Sequence, residues 1–318
     1  MKRILDCQSS DFRNMTRKEL LEAIAGSEGR TIACETIGSI MPMLGDITNA
    51  EFAAAMGADI LLLNLFDVQK PQILGLPKCA PEDVIRKLKE LTGRPIGINL
   101  EPVEQVLSSE NPEENMWAMT SGRKATLENA QKAADMGVNF ILLTGNPGIG
   151  VTNEAIEQTL RLYKEALGDR LILAAGKMHA SGIITEGAEK IITRDDIKAF
   201  AEAGADIIDT SISPLALGTS HMPTETLVAA LQGTEYDTGL DLKKLNVVRD
   251  HFAKVRQKYV DNGKISHKML GVDANTLLYQ VPGGMLSNLI GQLKQANAMD
   301  KYYDVLAEVP VVRKDFGY

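Results

Sequence analysis

AQKAADMGVNFILLTGNPG, residues 130–148, decides the fold. Its first half spaces Ala and Met three and four residues apart, as one face of a helix requires. Gly137 then stands where a helix C′ residue must take a positive φ, which glycine does at least cost. The run that follows, 138–144, is apolar enough for a strand buried on both faces. Helix, glycine and doubly buried strand in succession are one turn of a parallel βα repeat.

Working outward, the same unit recurs as EFAAAMGADILLLNLFD (51–67, with Gly57) and IKAFAEAGADIIDTSIS (197–213, with Gly204). RPIGINLE (94–101), RLILAAGK (170–177) and TIACE (31–35) supply further strands, Pro95 being tolerable as a strand opener. Helix starts are marked by Pro81 with Glu82 and Asp83, by Thr126, by Thr152 or Asn153, and by Thr193. About six βα units with right-handed crossovers predict an α/β TIM (β/α)8-like barrel, with a doubly wound sheet as the alternative. Past residue 213 helices dominate, at 224–231, 242–259, 284–296 and 300–312. The strand candidates there are 236–240 and 276–281; both are needed to bring the count to eight and close the barrel. The domain reading is a barrel over 1–242 and a helical extension over 243–318 that completes or caps it.

Composition narrows the function. A chain of 318 residues with 44% hydrophobic and 24% charged residues buries a sizeable core. Its 34 basic against 42 acidic residues, without a basic run, argue against a nucleic-acid partner. The 3 cysteines, without CxxC spacing, fit a reducing, cytoplasmic compartment. No apolar stretch approaches the roughly 20 residues of a membrane span, and Ile4 with Leu5 is too short for a signal peptide.

In a barrel the strand C-termini converge on one face and carry the chemistry. Those positions hold Glu35, Asn64, Asp67, Asn99, Glu101, Thr144, Asn146, Lys177, His179, Asp209 and Ser211. Asp67 and Glu101 follow buried strands directly and are the candidate ligands of a divalent cation, Mg, Mn or Zn. Lys177 and His179, on one face if the strand persists, are candidates for charge stabilisation and proton transfer. Asn64, Asn99 and the glycine-rich turn with Gly145, Asn146 and Gly148, which leads into a helix, are candidates for holding the substrate's anionic groups. Each has a plain alternative: strand ends are polar because loops are solvated, TGNPGIG also serves as a tight turn, and Lys177 also pairs with Glu101 or Asp209. Met41, Met43 and Met56, with Ile40 and Leu44, read as core or loop packing, and the long 104–125 loop with Trp117 reads as a lid.

Two resemblances cover different parts of the chain. AGADIIDTSISPLALGTSHMPTETLVAALQGTEYDTGLDL (203–242), LLYQVPGGMLSNLIGQLKQ (277–295) and DVLAEVPVVRKDFGY (304–318) resemble the biotin-dependent carboxyltransferase domain shared by the oxaloacetate decarboxylase alpha subunit and pyruvate carboxylase. LLLNLFD (61–67), PIGINLEP (95–102), GRKATLEN (122–129), LTGNPGIGVTNEAI (143–156) and AAGKMHASG (174–182) resemble a bacterial phosphoenolpyruvate phosphonomutase-like TIM-barrel family. The chain thus reads as two lineages joined near residue 205; a natural recombinant, an engineered chimera and a misassembled gene all read this way.

Both resemblances imply enolate chemistry on a pyruvate-like acid beside a metal. The carboxyltransferase resemblance gives Thr219, in GTSHMP, the proton-shuttling role of the threonine in GTSQP, with His221 and Met222 in place of Gln and Pro. The family's metal-ligand phrases do not recur: the first strand ends CETIG, and His179, His221, His251 and His267 form no His-x-His pair. No biotin-carrying segment is recognised in this chain, so biotin is not expected on it. The relatives commonly dimerise, which implies a homo-oligomer. The expected function is a metal-assisted lyase or transferase acting on pyruvate, phosphoenolpyruvate or oxaloacetate. The alternatives are a carboxyltransferase-like fragment and a catalytically silent barrel chimera.

Overall fold

Gly57, Gly137 and Gly204 take φ of 106°, 95° and 101°, so each turns the chain out of a helix and into the next strand as the repeat requires. A computed structural model of the chain describes residues 2–103, 119–145, 151–176, 193–217, 220–265 and 283–315. The strands are β1 (Ala33–Ile37), β2 (Ile60–Asn64), β3 (Ile96–Leu100), β4 (Phe140–Leu143), β5 (Ile172–Ala175) and β6 (Ile207–Ile208). They form one sheet in sequential order, with β1 to β5 parallel. The helices of the repeat are α3 (Asn49–Ala55), α4 (Val84–Thr92), α5 (Leu127–Met136), α6 (Asn153–Leu167) and α7 (Arg194–Glu202), preceded by α1 (Ser9–Arg13) and α2 (Arg17–Ala25). They are followed by α8 (Thr224–Leu231), α9 (Leu242–Asp261), α10 (Gly283–Gln295) and α11 (Tyr302–Asp315).

Sequential parallel order is the winding of a (β/α) barrel wall, and six strands of it lie among the described residues. The strand expected at 236–240 does not form. Asp237 accepts hydrogen bonds from the backbone N–H of Gly233 and of Gly239, and Gly239 takes a φ of 67°, so the segment folds on itself as a loop. Residues 276–281, the other closing candidate, lie outside the described residues.

The chain forms two compact units. The first is Met1–Leu143, Gln158–Ala175 and Ala203–Ile207; the second is Thr144–Glu157, Gly176–Glu202 and Ile208–Tyr318.

In the first unit, one face of β3 puts Ile96, Ile98 and Leu100 wholly out of solvent, each worth about 1.5–3 kcal/mol of burial. The other face is an inner layer of Leu62, Leu142 and Ala174 with Phe140. Gly97 belongs to this packing, because a Cβ there would lie 2.3 Å from the Phe140 ring. The N-terminal ends of the strands are closed by the first residues of the chain. Ile4, Cys7, Phe12, Leu20 and Ala23 pack on Ile60, Phe140 and Ile172, the opening residues of β2, β4 and β5. Burial pushes the Cys7 thiol upward in pKa. Arg17 ties the same end: its Nε donates to Leu171 O at 2.9 Å and its Nη2 pairs with Asp206. The C-terminal strand ends are therefore where the inner face meets polar side chains.

In the second unit, Ile197 of α7 packs with Met222, Leu227, Val228 and Leu231 of α8 and its approach. A separate cluster joins Ile290 and Leu293 of α10 to Tyr302 and Leu306 of α11. Among the described residues no helix is long and apolar enough to cross a membrane. The 40–56 methionines are not core: Met41 is 79% exposed, and Met43, Met56 and Leu44 also face solvent. Their segment precedes and follows the short α3.

Candidate functional site

Side chains two apart on a strand share a face, so Leu62 and Asn64 on β2, and Gly97, Asn99 and Glu101 along β3, belong to the inner face. At its C-terminal rim this face turns from leucine to amide and carboxylate. Asn64 Nδ2 donates to the Glu35 carboxylate of β1, and Asn99 Nδ2 donates to Asn64 Oδ1 at 2.9 Å. Leu65 N also donates to Asn64 Oδ1, at 2.8 Å. That bond accompanies a strained exit from β2: Leu65 has a φ of 57°, a left-handed conformation that costs a non-glycine residue about 1–2 kcal/mol. Asn99 is 4% exposed and its Oδ1 has no hydrogen-bond partner among the described residues. Such a group costs about 1–3 kcal/mol when left unsatisfied.

Next along β3, Glu101 Oε1 accepts from Arg123 Nη2 at 2.7 Å, with both side chains buried, 1% and 3% exposed. The loop 121–125 delivers Arg123 by running back beside the strand end: Glu101 N donates to Arg123 O, and Ala125 N to Glu101 O. That loop is latched in turn to the one after β2. Asp67 Oδ1 accepts from Gln69 N at 2.7 Å and Lys70 N at 2.9 Å, Ser121 Oγ donates to Gln69 Oε1, and Asn129 Nδ2 donates to Ser121 O and Lys124 O. Gly122 permits this closeness, since a Cβ on it would sit 1.7 Å from Asp67 Oδ1.

Asp67 and Glu101, expected to hold a divalent cation, do not fit one as arranged. Asp67 Oδ1 is committed to a turn, and Glu101 faces a guanidinium, whose charge repels a cation. Among the described residues no three His, Cys, Asp or Glu side chains gather as a metal would need. Asn64 and Asn99, expected to bind an anion, each give one Nδ2 hydrogen to a neighbour, Asn64 to Glu35 and Asn99 to Asn64. Gly145 and Thr144 are buried directly after β4. Lys177, His179, Thr219, Asn146, Gly148 and Trp117 lie outside the described residues.

The second unit carries its own polar cluster after β6. His221 Nε2 lies 3.2 Å from Asp209 Oδ2, with side chains 19% and 41% exposed. Ser211 and Ser220 share a hydroxyl hydrogen bond at 2.6 Å, and Thr210 and Thr224 another at 2.9 Å. The turn between passes through Leu217, whose φ is 60°. Asp209 packs on Gly176, where a Cβ would come within 2.5 Å of its own Cβ.

Sequence reasoning missed Arg123 and the pairing of Asp209 with His221. GRKATLEN places a basic residue just before a capped helix, but nothing in that phrase says the arginine turns back onto Glu101.

A family model described as "Domain of unknown function (DUF7916)" matches residues 5–276, and one described as "Conserved carboxylase domain" matches residues 276–318. The chain is 45% identical over 194 residues to a pyruvate carboxylase subunit of Methanocaldococcus jannaschii, covering 60% of this chain and 31% of that one. It is 36% identical over 192 residues to the 2-oxoglutarate carboxylase large subunit of Hydrogenobacter thermophilus, covering 60% of this chain and 28% of that one. The chain thus spans less than a third of either relative. Among solved structures it is similar to the carboxyl transferase domain of Rhizobium etli pyruvate carboxylase with oxamate and biotin. The TM-score is 0.62 at 18% identity, over 92% of this chain and 45% of that one. That likeness carries the fold, a parallel α/β barrel wall, and the conserved carboxylase domain covers the phrases at 277–295 and 304–318.

Proposed function

The chain belongs to the DUF7916 family, and from that premise we propose that it is a carboxyltransferase-like barrel which binds a small 2-oxo acid of the pyruvate or oxaloacetate class and activates it through its enol or enolate. The observation that carries this reading is the identity with the Methanocaldococcus jannaschii pyruvate carboxylase polypeptide over 194 residues, far longer than the terminal carboxylase segment. The polar rim of β1 to β3, above an apolar inner layer, is where such an acid would sit.

Residues 1–242 form the barrel in this reading and 243–318 the helical extension. Lys177, His179, Thr219 and the 144–150 turn are the candidates for charge stabilisation, proton transfer and anion binding. Lys177 comes two residues after Ala175, the end of β5, which supports counting it among the strand-end candidates. Biotin is carried by another polypeptide, and the active species is an oligomer. A divalent cation, where the reaction uses one, takes ligands other than the Asp67 and Glu101 pair, so no step is routed through that pair.

The test is exchange of the C3 hydrogens of pyruvate with D2O, followed by proton NMR in the presence and absence of Mg²⁺, Mn²⁺ or Zn²⁺. Enzyme-dependent exchange is expected. Its absence under every metal condition, from a folded chain, would overturn the reading in favour of a catalytically silent barrel, which the committed Asp67 and Glu101 carboxylates favour.

A further inference from the structure

The amide chain Glu35, Asn64, Asn99 has a direction. An ionised carboxylate only accepts hydrogen bonds, so Glu35 requires the nitrogen of Asn64, and this is what it receives. Asn64 must then turn its oxygen the other way, where Leu65 N and Asn99 Nδ2 both donate to it. Asn99 gives one Nδ2 hydrogen to that bond, which turns its oxygen to the opposite side of the amide. Among the described residues that oxygen is buried and without a partner, and Asn64 and Leu142, beside it on the same face, are each 8% exposed. Two donors converging on Asn64 Oδ1 prevent the amides from reversing. The Asn99 oxygen therefore asks for a hydrogen-bond donor.

We propose that Asn99 Oδ1 accepts a hydrogen bond from a hydroxyl of the ligand at C2, and that on a 2-oxo acid this hydroxyl is that of the enol. The inference rests on the proposed 2-oxo acid reading and deepens it. The keto acid offers only acceptors, its carboxylate and its carbonyl, and leaves Asn99 unsatisfied. On enolisation a C3–H bond breaks and its proton leaves to solvent; the electron pair forms the C2–C3 double bond. The C2–O double bond becomes single, and its oxygen takes a proton from water. The new O–H is the donor that Asn99 lacks. An interaction made by the enol and not by the keto acid lowers the barrier without tightening substrate binding.

The test measures C3 exchange of pyruvate by the full chain and compares two inhibitors that differ by the C2 hydroxyl alone, lactate and propionate. Lactate is expected to inhibit about tenfold more tightly, the worth of one hydrogen bond to a buried acceptor. Asn99→Leu is expected to lower kcat for exchange about tenfold, to leave KM for pyruvate within about twofold, and to abolish the preference for lactate. Equal inhibition by lactate and propionate in the wild type means that the acceptor serves a water molecule and overturns the proposal. A raised KM with unchanged kcat in Asn99→Leu also overturns it, because the contact would then be made by the keto acid. The inhibitor comparison needs no variant and decides the matter even if Asn99→Leu fails to fold. Exchange without a lactate preference sinks this inference alone, whereas no exchange at all sinks the 2-oxo acid reading and this inference with it.

Discussion

The rim of β1 to β3 and the cluster after β6 both gather polar side chains at strand ends, and each includes a turn through a leucine in a left-handed conformation, Leu65 in one and Leu217 in the other. They differ in how their polarity is set. In the first, Glu101 and Arg123 are buried together and Asn99 has its orientation dictated through two other strands. In the second, Asp209 and His221 meet with solvent around them, and the serine and threonine hydroxyls beside them can act as donor or acceptor. The lesson is that one strand-end cluster is built to hold a single hydrogen-bonding pattern, while the other is built from groups that can change theirs.

The contrast is sharpest in stability, and Arg123→Met tests it hardest. It strands Glu101 as an uncompensated buried charge and should cost about 3–5 kcal/mol by urea unfolding. The double variant Glu101→Met with Arg123→Met should recover most of that loss. A cost below about 1 kcal/mol for Arg123→Met would erase the distinction between the two clusters. A smaller loss, about 1–3 kcal/mol, is expected for Gly122→Ala, since its Cβ must displace the Asp67 carboxylate. Adding Asp67→Ala should relieve it, and failure to do so would show that the loops after β2 and β3 are not latched through this contact.

On the other side of the comparison, a double-mutant cycle of Asp209→Asn and His221→Gln should return a coupling no larger than about 1 kcal/mol, because water screens the pair. A coupling as large as that of Glu101 with Arg123 would make both clusters the same kind of device. The smallest effect is expected at the loop that replaces a closing strand. The backbone N–H groups of Gly233 and Gly239 hold the Asp237 carboxyl below its ordinary 3.8. A depressed carboxylate stabilises the fold above its unfolded-state value and loses that contribution as pH falls through the folded one. Asp237→Ala should therefore lower Tm slightly at pH 6, and the difference from wild type should vanish as pH falls through 3.8 and below.

How much of this could be read beforehand depends on whether the cause is local. Strands such as Ile96–Leu100 are legible because burial on both faces writes a continuous apolar run, and Gly57, Gly137 and Gly204 mark the turns between. Residues 236–240 misled because Tyr236 and Leu240 look like strand residues, whereas Asp237 and Gly239 close the loop through side-chain bonds. Asn64, Asn99 and Glu101 could be named as strand-end residues, but their roles could not. The side on which Asn99 shows its oxygen is settled by a carboxylate two strands away, and the partner of Glu101 arrives from a loop 22 residues on. Such facts belong to the registers of several strands at once, which no single stretch of sequence carries.

The N-terminal plug has a consequence for the order in which the protein can be made. Ile4 to Ala23 leave the ribosome well before their partners, which include Ile172, and Arg17 pairs with Asp206, 189 residues later. The opening helices must wait through most of translation with their apolar faces uncovered, and the strand bottoms acquire their seal only when β6 emerges. A nascent chain stalled before residue 172 should accordingly be the form most in need of a chaperone, and release of β6 the event that seals the strand bottoms.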